Sequence, residues 1–279
     1  MKAYPIGVMI RLGKDSDVEN EIRKAKDMEL DSCQICIWDT TLFHNVEYAA
    51  RVKAAIADTG FRVSGLWAGW SGPCEWNFTS GPSTIGLVPP AYRYARLNEL
   101  KAASDFAGWV GIDRVITHVG FLPENPDDAD FVGTVSALRW LCKAMKEKNQ
   151  YFLFETGQET PVTMLRTIQA IGTDNLGINF DTANLLLYGK ANSVDALDVF
   201  GKYVMDTHIK DGFYPTDGMS LGKQVPVGEG KANVAAVVRK LDEIGYSGTM
   251  TIEREITGEQ QIRDIVATRD YLRKIFSEN

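Results

Sequence analysis

Residues 151–181 read YFLFETGQETPVTMLRTIQAIGTDNLGINFD. The run opens on an apolar stretch, Tyr151–Phe154, closed by Glu155, and ends on a second, Leu176–Asp181, closed by Asp181. Strands covered on both faces carry such continuous apolar runs. The segment between them stops at Gly172, and Gly after a helix suits a left-handed cap. Strand, helix, strand is the unit of a parallel sheet.

The same unit recurs along the chain. Strands are predicted at Ile6–Ile10, Cys33–Trp38, Arg62–Trp67, Arg114–Val119, Tyr151–Glu155, Leu176–Asp181, Tyr203–Ile209 and Thr249–Glu253. Between them, Val18/Ile22/Ala25, Val46/Ala49/Ala50, Leu138/Leu141/Cys142/Met145 and Val234/Val237/Val238/Leu241 recur at helical spacing. Gly60, Gly111 and Gly245 punctuate other helices as Gly172 does. Eight repeats predict one α/β domain over residues 1–279, a (β/α)8 TIM barrel, a fold that commonly takes about 250 residues. A doubly wound open sheet fits less well, because no G-x-G-x-x-G follows the first strand. Two long connections, Ala68–Pro90 and Gly212–Gly230, follow strands and so belong to the carboxyl rim, where barrels place their sites.

Composition narrows the partners. The apolar and charged fractions, 44% and 24%, are those of a globular protein, and the net charge is −7. An acidic chain disfavours nucleic acid. No apolar run nears the roughly 18 residues of a membrane span, and the amino terminus lacks a signal peptide's pattern, so a cytoplasmic location is expected. Cys33 and Cys36 match C-x-x-C, but no second pair completes a zinc site, and in a strand residues three apart face opposite ways. Buried free thiols are expected.

The last four strands share one feature: they end on Glu155, Asp181, His208 and Glu253. A carboxylate closing a buried strand is costly unless paired or metal-bound. Four potential ligands on consecutive strands of a barrel converge on one axis. Three carboxylates and an imidazole form a hard donor set, favouring one divalent ion of the Mn²⁺, Mg²⁺ or Co²⁺ kind, with Zn²⁺ also compatible.

These residues, in Glu155-Thr-Gly-Gln, Asp181-Thr-Ala-Asn, His208-Ile-Lys-Asp211 and Ile-Glu253, together with Gly228-Glu229-Gly230, resemble the xylose isomerase-like TIM-barrel superfamily. That group joins sugar isomerases and epimerases with endonuclease IV. The resemblance to its ketose 3-epimerases implies that Glu155, Asp181, His208 and Glu253 hold one divalent ion, with manganese the first expectation. It also implies that Glu155 and Glu253 act as the catalytic acid/base pair, and that the chain is a homodimer or homotetramer. Two departures stand out. Ketohexose epimerases of the group usually carry His three residues after the metal Asp, where this chain has Asn184. Endonuclease IV needs many histidines, and this chain has only His44, His118 and His208.

Supporting residues follow from position. His118, closing strand four, is either a substrate contact or a hydrogen-bonded core histidine. Lys210 alternates with His208 and either binds substrate oxygens or neutralises carboxylates. Gln158 and Glu159 either reach substrate or cap the next helix. Glu255 either shares the face of Glu253 or pairs with Arg254. Trp67, Trp70 and Trp76, with Trp38, offer indoles that stack on the apolar faces of sugars or fill a loop core. Asn184 is expected at substrate. His44 is expected at a helix start or the surface. No phosphate loop follows the seventh or eighth strand, so the expected substrate is an unphosphorylated sugar or glycoside. The leading function is a metal-dependent keto-sugar isomerase or epimerase. The alternatives are a lyase cleaving a 3-keto glycoside by β-elimination, and a non-catalytic sugar-binding protein.

Overall fold

The computed structural model describes residues 2–278. Its centre is the predicted closed barrel. Strands β1 (Ile6–Leu12), β2 (Ser32–Ile37), β3 (Arg62–Ala68), β4 (Arg114–Thr117), β5 (Tyr151–Glu155), β6 (Leu176–Asp181), β7 (Val204–Ile209) and β8 (Met250–Ile252) pair in parallel in chain order, and β8 closes on β1. The loop after β7 adds a two-stranded antiparallel ribbon, Asp211–Gly212 with Gln224–Val225.

Two rim residues differ from expectation. His118 and Glu253 each stand just beyond the strands they were expected to close. After β4 the chain leaves the sheet because the Val119 carbonyl accepts from the Leu87 and Val88 N–H groups of the preceding loop. After β8 the Glu253 carbonyl is taken by the Gln224 side chain. The start of β7 and both ends of β2 also differ from prediction by a residue, and β1 runs on to Leu12.

The helices carry the signals read in the sequence. Asn45 caps Val46–Thr59 and Thr160 caps Pro161–Ile171, each accepting a backbone N–H of the first turn. Gly60, Gly111, Gly172 and Gly245 all adopt the left-handed conformation after helices.

Strand alternation separates two environments. Outward residues such as Ile35, Val115, Phe154, Phe180 and Ile252 join the main apolar core. Inward ones form a smaller cluster holding Cys36, Trp67, Ile116 and Leu153. Cys33 and Cys36 therefore fall on opposite faces, both buried as free thiols. The inward position at Gly177 must be empty, since a Cβ there would lie 2.5 Å from Met205 Sδ and 2.6 Å from Leu153 Cδ2.

One buried cation organises the long loop after β3. Arg96, 1% exposed, donates to the carbonyls of Ser71, Pro73, Thr84 and Gly86 at 2.7–3.1 Å and lies over the rings of Trp70 and Tyr92. Hydrogen bonds from charged donors are the stronger kind, and their loss strands four carbonyls. Replacing Arg96 by Met is expected to destabilise the protein by about 3 kcal/mol or more. Urea unfolding measures this, and limited proteolysis should show new cleavage between residues 69 and 89.

Candidate metal and active site

The four residues at the strand ends converge. Glu155, Asp181, His208 and Glu253 each offer a ligand atom, all within 4.8 Å of one another, and all four are buried. His208 Nδ1 lies 2.9 Å from Glu155 Oε1 and 3.3 Å from Glu253 Oε2. Trp67 Nε1 donates to the other Glu155 oxygen. Asp181 Oδ1 accepts from the N–H groups of Ala183 and Asn184 at 2.7 and 2.8 Å.

Charge balance dominates this chemistry. Burial pushes the Glu253 carboxyl up, but Lys210 and His208 outweigh it and hold the group well below its ordinary range. Burial likewise opposes ionisation of Glu155, and the imidazoles of His118 and His208 prevail. His208 gains the converse benefit and is raised well above an ordinary imidazole despite burial. Asp181 is the strained member: burial and its carboxylate neighbours, against Lys210, lift it to about 7.

A divalent cation fits this donor set. Asp181 Oδ2 is fully buried without a hydrogen bond, the Lys210 ammonium standing 3.6 Å away. Two carboxylates at such separations repel by about 3 kcal/mol even at an effective dielectric near 20. Three oxygen donors and one imidazole are the chemistry that hard divalent ions take.

The remaining predicted residues divide. A cavity of about 510 Å³ opens above the four donors, and His118, Asn184 and Trp67 line it, with Trp38 and Trp76 beside them. His118 Nε2 is 3.5 Å from Glu155 Oε1, and its Nδ1 is buried without a partner. Asn184 accepts from Lys210 Nζ at 3.2 Å and donates weakly to Glu155 Oε1 at 3.4 Å. Lys210 is buried behind this wall, paired with Glu253 at 3.2 Å and Glu255 at 3.0 Å. The pairing of Glu255 with Arg254 gives way to that contact, because Arg254 is held by Asp264 and Gln224. Gln158 and Glu159 are buried and do not line the cavity; Thr160 caps the helix instead, and Glu159 accepts the Gly157 N–H. His44 is exposed near the end of a short helix. Trp38 packs 4.9 Å from Trp67 and 5.3 Å from Trp70, so the loop indoles form one wall.

Asp211 explains a motif whose role the sequence left open. Its carboxylate accepts from the N–H groups of Gly212, Gly228, Gly230 and Ala232 at 2.8–3.1 Å. A Cβ at Gly230 would lie 2.2 Å from Asp211 Oδ1, so the Gly-Glu-Gly turn wraps a carboxylate beside the site. Sequence reasoning also passed over Arg11, which lines the cavity, and Gln34, which touches His208. Their one signal is a polar residue at an inward position of an apolar strand.

The chain belongs to the xylose isomerase-like TIM barrel family, whose model matches residues 22–275. The closed barrel is the fold that this family's description names. The chain is 32% identical, with a TM-score of 0.90, to a xylose isomerase domain protein from Planctomyces limnophilus, over 98% of this chain and 97% of that one. At 18% identity and a TM-score of 0.75 it shares the fold of 3-keto-D-glucoside 4-epimerase from E. coli, covering 98% of this chain and 100% of that one. Ketose 3-epimerases share the fold too. An uncharacterized protein of Methanocaldococcus jannaschii is 32% identical over 116 residues, 41% of this chain, and the match spans 36% of that protein's length. No helix among the described residues is long and apolar enough to cross a membrane.

Glu159 gives a pH test separate from the four donors. Burial, opposed by the Gly157 N–H, raises its carboxyl from 4.5 to about 7. Between those values the native state holds a proton that the unfolded chain has released, so this contribution to stability fades as pH rises through 7. Glu159→Gln should stabilise the protein at pH 8 by up to about 3 kcal/mol and keep only a small part of that gain at pH 5. Thermal melts at the two pH values decide it.

Proposed function

We propose that this protein is a divalent-metal-dependent sugar epimerase or isomerase, acting on a keto-sugar by removing and returning a proton beside the carbonyl. The observation that carries the reading is the meeting of Glu155 and Glu253 on one cavity floor, from β5 and β8, strands three places apart around the ring. Glu155, Asp181, His208 and Glu253 would hold the ion, with Mn²⁺ first and Mg²⁺, Co²⁺ or Zn²⁺ as alternatives. When bound, it supplies Lewis acidity toward a carbonyl oxygen and offsets the negative charge that develops there.

The protein side chains divide the remaining work. One glutamate takes the proton from one face of the sugar and the other delivers a proton to the opposite face. Lys210, 3.2 Å from Glu253, keeps that carboxylate ionised as a base. His118 and Asn184 line the same space and are placed to bind substrate oxygens. Burial lowers the His118 pKa, against the pull of Glu155 and Glu253. Trp67 orients Glu155 by its indole N–H, and the indole wall stacks on the apolar face of a pyranose.

Among the described residues the cavity lining holds a single guanidinium, Arg11, which supports an unphosphorylated sugar. The cavity volume of about 510 Å³ suits a ligand of drug-like size and so leaves space for an aglycone. That favours a keto-glycoside over a free ketohexose. It also keeps a second reading, β-elimination from a 3-keto glycoside, which begins with the same proton abstraction.

Glu155→Gln and Glu253→Gln are each expected to lower solvent-deuterium incorporation into a 3-keto-glucoside by about 10²-fold or more, the range for a lost general acid or base, with melting temperature preserved. Exchange at the parental rate in both variants would rule the reading out. Product analysis separates the two chemistries: an isomeric sugar marks epimerisation, a released aglycone marks elimination.

A further inference from the structure

Gln34 lies at the middle of β2, fully buried and facing the barrel axis. Its Oε1 is 2.7 Å from His208 Nε2. Its Nε2 donates to Asp206 Oδ2 at 3.3 Å and to Asn179 Oδ1 at 3.2 Å. Asp206 is itself held by the Thr207 N–H at 2.9 Å and by the Thr251 hydroxyl at 3.4 Å. Turning the amide over would set its oxygen against the Asp206 carboxylate, so these contacts leave one orientation.

An amide oxygen only accepts, so the imidazole nitrogen facing it carries a proton. The other nitrogen, Nδ1, is the one directed at Glu155 and Glu253. We propose that Gln34 is a positioning residue: it fixes the Nε2–H form and the ring plane of His208, so that Nδ1 is presented to a divalent cation, with Asn179 and Asp206 as its backstop. This inference rests on reading the four strand-end donors as a metal site. It accounts for a Gln, an Asn and an Asp spent on inward barrel positions far below the cavity mouth. Partners of this kind behind a ligating histidine typically contribute 10- to 100-fold in metal affinity.

The test compares the parent with Gln34→Leu, which removes the acceptor at similar size. Mn²⁺ affinity is measured by calorimetry. The imidazole N–H resonance of His208 is followed by NMR in the metal-free protein, where only three histidines compete for assignment. The expected result is a slowly exchanging Nε2–H in the parent, and its loss in Gln34→Leu with Mn²⁺ binding weakened about 10- to 100-fold. If the leucine variant does not fold, Gln34→Met tests the same loss. Parental Mn²⁺ affinity in the variant lacking the acceptor overturns the positioning role and leaves the metal reading standing. A parent that keeps the Nε2–H resonance but binds none of Mn²⁺, Mg²⁺, Co²⁺ or Zn²⁺ overturns the metal reading, and this role with it.

Discussion

Three carboxylates share a buried pocket, and the rest of the site answers that repulsion. Burial weakens their solvation, so the charges are met by other side chains or by an ion. Lys210 neutralises part of the field from behind, and His208 bridges Glu155 and Glu253. Asp181 remains the member with an oxygen that nothing hydrogen-bonds. A pocket arranged in this way is suited to a cation.

Holding such a pocket together requires rigid support, and the fold supplies it at three levels. The outward strand residues pack a continuous apolar layer under the helices. The inward residues just below the site form a hydrogen-bonded set, Gln34, Asn179, Asp206 and Thr251, in place of further apolar filling. The rim loops are clamped by single charged groups: Arg96 gathers carbonyls after β3, and Asp211 gathers N–H groups after β7. Opposite charges do complementary work, because one loop offers acceptors and the other offers donors.

The cavity above the donors has two characters. Its lining combines the indoles of Trp38, Trp67 and Trp76 with the polar groups of His118, Asn184, Glu155 and Glu253. A sugar presents both kinds of surface, apolar C–H faces and polar hydroxyl edges. The protein shares its fold with enzymes acting on keto-sugars and a keto-glucoside.

The sequence alone determined the barrel and the four strand-end residues that cluster at its rim, because both are written in local patterns. Strand ends such as Phe-Leu-Phe-Glu155 and Ile-Asn-Phe-Asp181 join a period-two burial pattern to a misplaced charge, and parallel closure brings such ends to one axis. Gly at helix ends was equally legible, because the left-handed conformation is a local demand. Only the tertiary structure decided the partners. Gln34 meets His208 across 174 residues, and Asp211 meets the Gly228–Gly230 turn through side chain to backbone contacts. Whether Lys210 faces the cavity or the carboxylates, and which ion pair Glu255 joins, depended on where neighbouring strands set their side chains in depth. Hydrogen bonds between distant strands leave no periodic trace in the chain, so their donors and acceptors are assigned only once the ring has closed.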